Sequence, residues 1–139
     1  MHDARLIAAA LAAREQAYAP YSHFLVGAAL LSESGQIFAG CNVENVSLGL
    51  TNCAERVAIG TAIAAGQRKF TALAIASRGG VTPCGACRQM LAEFATELPI
   101  WLVDVDQPAA IVELSLQQLL PGRFTFDRDI TATNAPDQS

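Results

Sequence analysis

The sequence predicts an α/β domain in which helices cover a mixed β-sheet. Three observations carry that expectation. Short apolar runs of strand length alternate with longer runs of helical spacing. The 139 residues hold no internal repeat and no interdomain linker, so one domain is expected over 1–130. A polar, turn-rich tail, expected to be loose, follows over 131–139. Hydrophobic residues make up 52% and charged residues 16%, against a usual charged share of about 25%. That supplies a core without disulfide staples, and leaves so little charge for a monomer's surface that an oligomer is expected.

Residues 4–18 read as an alanine-rich helix with Asp3 as N-cap and Leu6, Ala10, Ala13 and Ala17 at helical spacing; Ala19-Pro20 stops it. Residues 24–31 form a strand candidate containing Gly27, Ala28 and Ala29. A turn over 32–35 and a second strand over 37–42 complete a hairpin. Residues 43–51 have the composition of a binding loop. Thr51 or Asn52 can cap a helix running to about Ala65, which Gly66 ends. Its residues Val57, Ala58, Ile59, Ala62 and Ile63 leave little polar circumference, so it is expected to be central, or covered on one side by another subunit.

Residues 70–77 are an almost continuous apolar strand, turned by Arg78-Gly79-Gly80 toward a third helix over 84–96 with Pro83 near its start. Strands are expected over 100–105 and 110–113. Ser115 caps a brief helix through Leu120, ended by Pro121-Gly122.

Nine basic and thirteen acidic residues give a net charge of −4, which argues against a fold-wide grip on a polynucleotide backbone. No run of about 18 apolar residues is present to cross a membrane, and the first residues carry no export signal, so a cytoplasmic location is expected.

The chemistry concentrates in Cys53-Ala54-Glu55 and Pro83-Cys84-Gly85-Ala86-Cys87. Two thiols at C-x-x-C spacing, joined by a third from another helix start, suit a zinc ion with one open position. Helix-end N–H groups would stabilise the thiolates. Cys41 leaves a second reading open, a closed structural site of four cysteines, and C-x-x-C before a helix leaves a redox pair open. Glu55 favours catalysis, because a carboxylate beside the ligands can take a proton from water and return it to a substrate nitrogen.

These pieces resemble the small, homotetrameric zinc-dependent cytidine deaminases, by a set of motifs spread over almost the whole chain: Ala19-Pro20-Tyr21-Ser22-His23-Phe24, Val26-Gly27-Ala28-Ala29-Leu30, Gly40-Cys41-Asn42-Val43-Glu44-Asn45, Cys53-Ala54-Glu55-Arg56, Pro83-Cys84-Gly85-Ala86-Cys87-Arg88-Gln89 and Leu119-Leu120-Pro121-Gly122. The C-x-E and P-C-x-x-C pieces are the signature of the zinc deaminases. The resemblance implies a three-layer α/β/α fold and a hydrolase of pyrimidine salvage that converts cytidine and 2′-deoxycytidine to uridine and 2′-deoxyuridine with loss of ammonia. It implies one zinc per chain on Cys53, Cys84 and Cys87, water at the fourth position, and Glu55 as proton shuttle. It places Arg56 beside the thiolates, whose charge of −3 it would temper. Asn42 and Glu44 are implied to bind the sugar. Phe24 and Val26 would wall the base, Ala54 would offer it a backbone donor, and Phe124 would close an active site near a subunit interface.

Cys41 is then a buried thiol outside the ligand set, His2 a terminal passenger, and His23 a support for the loop before Phe24. Leu25, Leu48 and Arg123 depart from the residues frequent in the family, a proline, an aromatic and an alanine. They bear on the pocket entrance and rim. A deaminase of a modified cytosine nucleoside or of a cytosine-containing antibiotic of the blasticidin S type is the second enzymatic reading. A structural zinc module is the reading from another class.

Overall fold

A computed structural model of the chain describes residues 2–126. The expected tail over 131–139 lies outside them. Helix α1 (Ala4–Arg14) opens the fold and is followed by strands β1 (Gly27–Ser32) and β2 (Ile37–Cys41). A 3₁₀ turn at Leu48–Leu50 precedes α2 (Ala54–Ala64), β3 (Phe70–Ser77), α3 (Gly85–Phe94), β4 (Pro99–Asp104), β5 (Ile111–Ser115) and the single-turn α4 (Leu116–Leu119). The strands form one sheet in the order β2-β1-β3-β4-β5. Only the β3–β4 pair is parallel, so the sheet is mixed, as expected.

The layers follow from residue alternation along the strands. One face of the sheet carries Ala29, Ala72, Ala74, Ala76, Trp101 and Val103 against Leu6 and Ala10 of α1. The other carries Ala28, Leu30, Leu73, Ile75, Ile100 and Leu102 against Ala58, Ile59 and Ala62 of α2, Leu91 of α3 and Leu116 of α4. Two glycines set the closest approaches. A Cβ on Gly27 would fall 2.1 Å from the Ala10 carbonyl oxygen and 2.4 Å from the Arg14 amide nitrogen. A Cβ on Gly40 would fall 2.5 Å from the Ala58 nitrogen and 2.7 Å from the Ala54 oxygen. Backbone meets backbone at both points, and only glycine leaves room.

Several boundaries move for reasons outside the local sequence. Helix α1 stops four residues early. Gln16 and Ala17 close tight turns onto Ala13 and Arg14, and Tyr18 then bonds to Asn42 and Glu44. Strand β1 starts at Gly27 because the Val26 amide and the Phe24 carbonyl are both bound by the Asn42 side chain. The cap of α2 is Cys53, not Thr51 or Asn52, since Asn52 is paired with Val43 through two backbone bonds of 2.9 Å. Cys84 likewise caps α3, which ends at Phe94.

The predicted caps at Asp3 and Ser115 are present, the latter as a capping box with Gln118. Cys41 is half-buried rather than buried, as it sits at the end of edge strand β2. His2 is no passenger. Its ring meets Trp101 edge-on at 5.1 Å and its Nε2 lies 3.7 Å from Glu113, which also accepts the Trp101 indole N–H at 2.6 Å.

Candidate metal centre and active site

Cys53 and Cys84 are the N-caps of α2 and α3, and neither side chain caps its own helix. Cys87 stands in the first turn of α3. The first amides of a helix have no intrahelical acceptor, so two partly positive helix ends meet where the thiols meet. Sγ of Cys84 lies 3.8 Å from that of Cys53 and 3.3 Å from that of Cys87, and all three sulfurs lie within 4.8 Å of one another. Tetrahedral zinc with Zn–S bonds of about 2.3 Å spaces its sulfurs roughly 3.8 Å apart. The donor set therefore fits the ion. Cys41 does not join this cluster, which removes the closed four-sulfur site among the described residues.

Protonation of the thiols is already uneven. A hydrogen bond from Cys87 and the neighbouring Arg56 guanidinium bring the Cys53 thiol down to about 5. The same hydrogen bond, burial and the nearby Glu55 hold the Cys87 thiol far above its ordinary value. One member of the cluster is thus a thiolate at neutral pH, and metal binding must displace the proton of Cys87. Nη2 of Arg56 donates to Cys53 Sγ at 3.4 Å and to the Thr51 carbonyl at 3.2 Å. Its Nε is buried with no acceptor, a cost that further negative charge on the adjacent sulfurs would offset.

Glu55 is 4% exposed and lies beside Cys87. Burial raises its carboxyl above the ordinary 4.5, against a hydrogen bond with Cys87 that lowers it. A buried carboxyl with a raised pKa beside the thiols is suited to proton transfer. Ala54, between the first ligand and Glu55, is fully buried.

The other predicted side chains gather at the loop over 19–26. The Asn42 amide accepts from the Val26 N–H at 2.9 Å and donates to the Phe24 carbonyl at 2.8 Å. One amide N–H of Asn42 has no partner among the described residues. Glu44 accepts from the amides of Tyr21 and Ser22 at 3.0 and 3.1 Å and from the Ser22 hydroxyl at 2.5 Å. These bonds, with the Ser22 hydroxyl foremost, hold its carboxyl below the ordinary range and leave one acceptor position unused. The loop they brace contains His23 at φ +59°, a left-handed conformation that a side chain adopts only when its surroundings impose it. Val26 is buried and Phe24 is 37% exposed.

Phe124 is not packed under α4; it is 66% exposed, with Phe126 edge-on at 5.3 Å. Sequence reasoning assigned no role to Arg88, whose guanidinium binds the Pro83 and Leu119 carbonyls at 2.8 Å each. A signal was present, since no acidic residue stands three or four positions from it on α3.

A mixed α/β sheet with a three-thiol centre between two helix starts defines a class, the zinc-dependent deaminases of nucleosides and nucleobases. The family model described as the cytidine and deoxycytidylate deaminase zinc-binding region matches residues 1–102, and the chain belongs to this family. It is 50% identical over 124 residues to the cytidine deaminase of Sporosarcina psychrophila, covering 87% of this chain and 90% of that one. Identity to the cytidine deaminase of Halalkalibacterium halodurans is 46% over 125 residues, covering 88% and 93%. The crystal structure of the cytidine deaminase from Burkholderia pseudomallei superposes with a TM-score of 0.83 at 48% identity, covering 89% of this chain and all of that one.

Proposed function

We propose that the chain hydrolyses cytidine and 2′-deoxycytidine to uridine and 2′-deoxyuridine, one water consumed and one ammonia released per turnover. The observation that carries this is the buried Glu55 carboxyl beside three converging thiols. Cys53, Cys84 and Cys87 would hold one zinc per chain, which would supply a nucleophile by lowering the pKa of water. Glu55 would take up a proton from water, deliver it to N3 of the ring and help the C4 amine leave as ammonia. Arg56 would draw charge from Cys53, so that three thiolates do not quench the acidity of the ion.

Phe24 and Val26 wall the base and the Ala54 amide meets its carbonyl oxygen. Asn42 and Glu44 use their spare donor and acceptor on the sugar hydroxyls, which favours a nucleoside over a free base. Phe124 closes the pocket near a subunit boundary. A homotetramer is supported by Val46, Leu48 and Leu50, which stand 79%, 73% and 66% exposed on the loop before α2. The outer surface of α2 itself carries Gly60, Thr61 and Ala64, small residues that a second chain can approach. Among the described residues no helix is long and apolar enough to cross a membrane. A single domain over 1–130, a cytoplasmic place in pyrimidine salvage and no polynucleotide substrate complete the reading.

The test is ammonia release from zinc-loaded protein given cytidine, deoxycytidine, cytosine, adenosine and blasticidin S. Turnover of the first two with little from the rest is expected. Inert cytidine and deoxycytidine beside rapid conversion of the antibiotic would overturn the substrate assignment.

A further inference from the structure

We infer that Arg123 is a positioning residue for Phe124, fastening the segment over 119–124 to the helix that carries Cys87. The inference rests on the reading of Phe124 as a wall of the substrate pocket. Helix α3 is gripped at both ends by arginines. Near its start, Arg88 sends Nε to the Pro83 carbonyl and Nη1 to the Leu119 carbonyl, both at 2.8 Å, and Nη2 to the Thr82 hydroxyl at 3.2 Å. The loop that delivers Cys84 and the end of α4 are thereby joined through one planar group.

At the far end Arg123 places Nη1 2.6 Å from the Ala95 carbonyl and Nη2 2.5 Å from the Thr96 carbonyl. Ala95 is the C-cap of α3, where carbonyls lack intrahelical donors and a cation is favoured. Between these grips Gly122 turns the chain at φ +62°, and Gln89 reaches the Phe124 carbonyl at 3.5 Å.

Phe124 itself has little to hold it. Its ring is 66% exposed and meets Phe126 edge-on, and Phe126 is 75% exposed. An exposed aromatic on a short segment acquires a defined place only if its backbone is fixed. The fork of Arg123 does so with two hydrogen bonds to consecutive carbonyls, a geometry lysine's single nitrogen cannot reproduce.

The experiment compares full-length, zinc-loaded wild type with Arg123→Ala, Arg123→Lys and Phe124→Ala, reading backbone order parameters by nitrogen-15 relaxation and steady-state kinetics on cytidine. Arg123→Ala should lower the order parameter at Phe124 and Thr125 toward the flexible range, below about 0.6. It should raise KM as Phe124→Ala does, with kcat and zinc content unchanged. Arg123→Lys should fall between and remains the informative variant if the alanine protein does not fold. Unchanged order parameters at Phe124 and Thr125, or a wild-type KM in Arg123→Ala where Phe124→Ala raises it, overturns the inference. A wild-type KM in Phe124→Ala removes Phe124 from the proposed pocket, and the order parameters then decide alone whether Arg123 positions it.

Discussion

Under α1 the sheet presents Ala29, Ala72, Ala74 and Ala76, whereas the opposite face presents Leu30, Leu73, Ile75 and Ile100 to α2 and α3. Alanines let one helix sink until its backbone touches Gly27, and among the described residues the cluster of potential metal ligands lies elsewhere. The larger residues on the other face spread three helices over the sheet. There the starts of α2 and α3 converge with their cysteines. The chemistry thus sits on one side of the sheet only, and substitutions under α1 should separate packing from it.

The widest separation is expected from Glu55→Gln. An amide keeps the shape and cannot cycle a proton, so kcat should fall by roughly 10²–10⁴-fold while zinc per chain and thermal stability hold. Assays on metal-verified protein check this, and full activity would reject the shuttle. Gly27→Val should do the reverse. Its side chain meets helix backbone at 2.1–2.9 Å, an overpacking that costs about 3 kcal/mol, visible in urea unfolding, with zinc per folded chain unchanged.

Two smaller effects sharpen the picture. Cys41→Ser, half-buried and outside the thiol cluster, should cost under about 1 kcal/mol and leave zinc stoichiometry at one. A lower stoichiometry would draw Cys41 into the metal site. Glu44 predicts a pH effect confined to the loop over 19–26. Its pKa in the folded chain lies below the ordinary 4.5 because the Ser22 hydroxyl and the Tyr21 and Ser22 amides bind its charged form. The unfolded chain therefore takes up the proton first. The contribution is full above the ordinary value and is lost as pH falls through the folded one. Exchange protection at Tyr21 and Ser22, corrected for intrinsic rates, should decline over that acid window, and Glu44→Gln should abolish the dependence.

Local signals carried the elements that end where their own residues say so. Strand β3 lies at Phe70–Ser77 as its apolar run predicts, and Ser115 and Asp3 cap the helices they precede. The displaced boundaries belong to residues claimed by distant partners. Tyr18 pairs with the strand-exit residues Asn42 and Glu44, and Asn52 with Val43. No window of neighbouring residues contains that information. The same division runs through the candidate site. The thiols and Glu55 stand out by type and spacing, because metal chemistry restricts both. The bracing of Tyr21 and Ser22 by Glu44 joins residues more than twenty positions apart, and Arg88 reaches Leu119 across thirty-one. Generic donors and acceptors at such separations leave no pattern along the chain.

Cys53 and Cys84 occupy the positions where a helix is ordinarily capped by a serine or aspartate side chain, yet neither makes a capping bond. An ion held by these thiols would tie together two helix beginnings that lack side-chain caps of their own. Loading is thereby linked to folding, because the folded chain holds the three sulfurs together. A thermal scan at graded free zinc is then a binding titration, in which each rise in melting temperature reports how far the free concentration exceeds the dissociation constant. A thousandfold excess adds about 4 kcal/mol. Zinc limitation would thus lower the stability of this protein together with its activity.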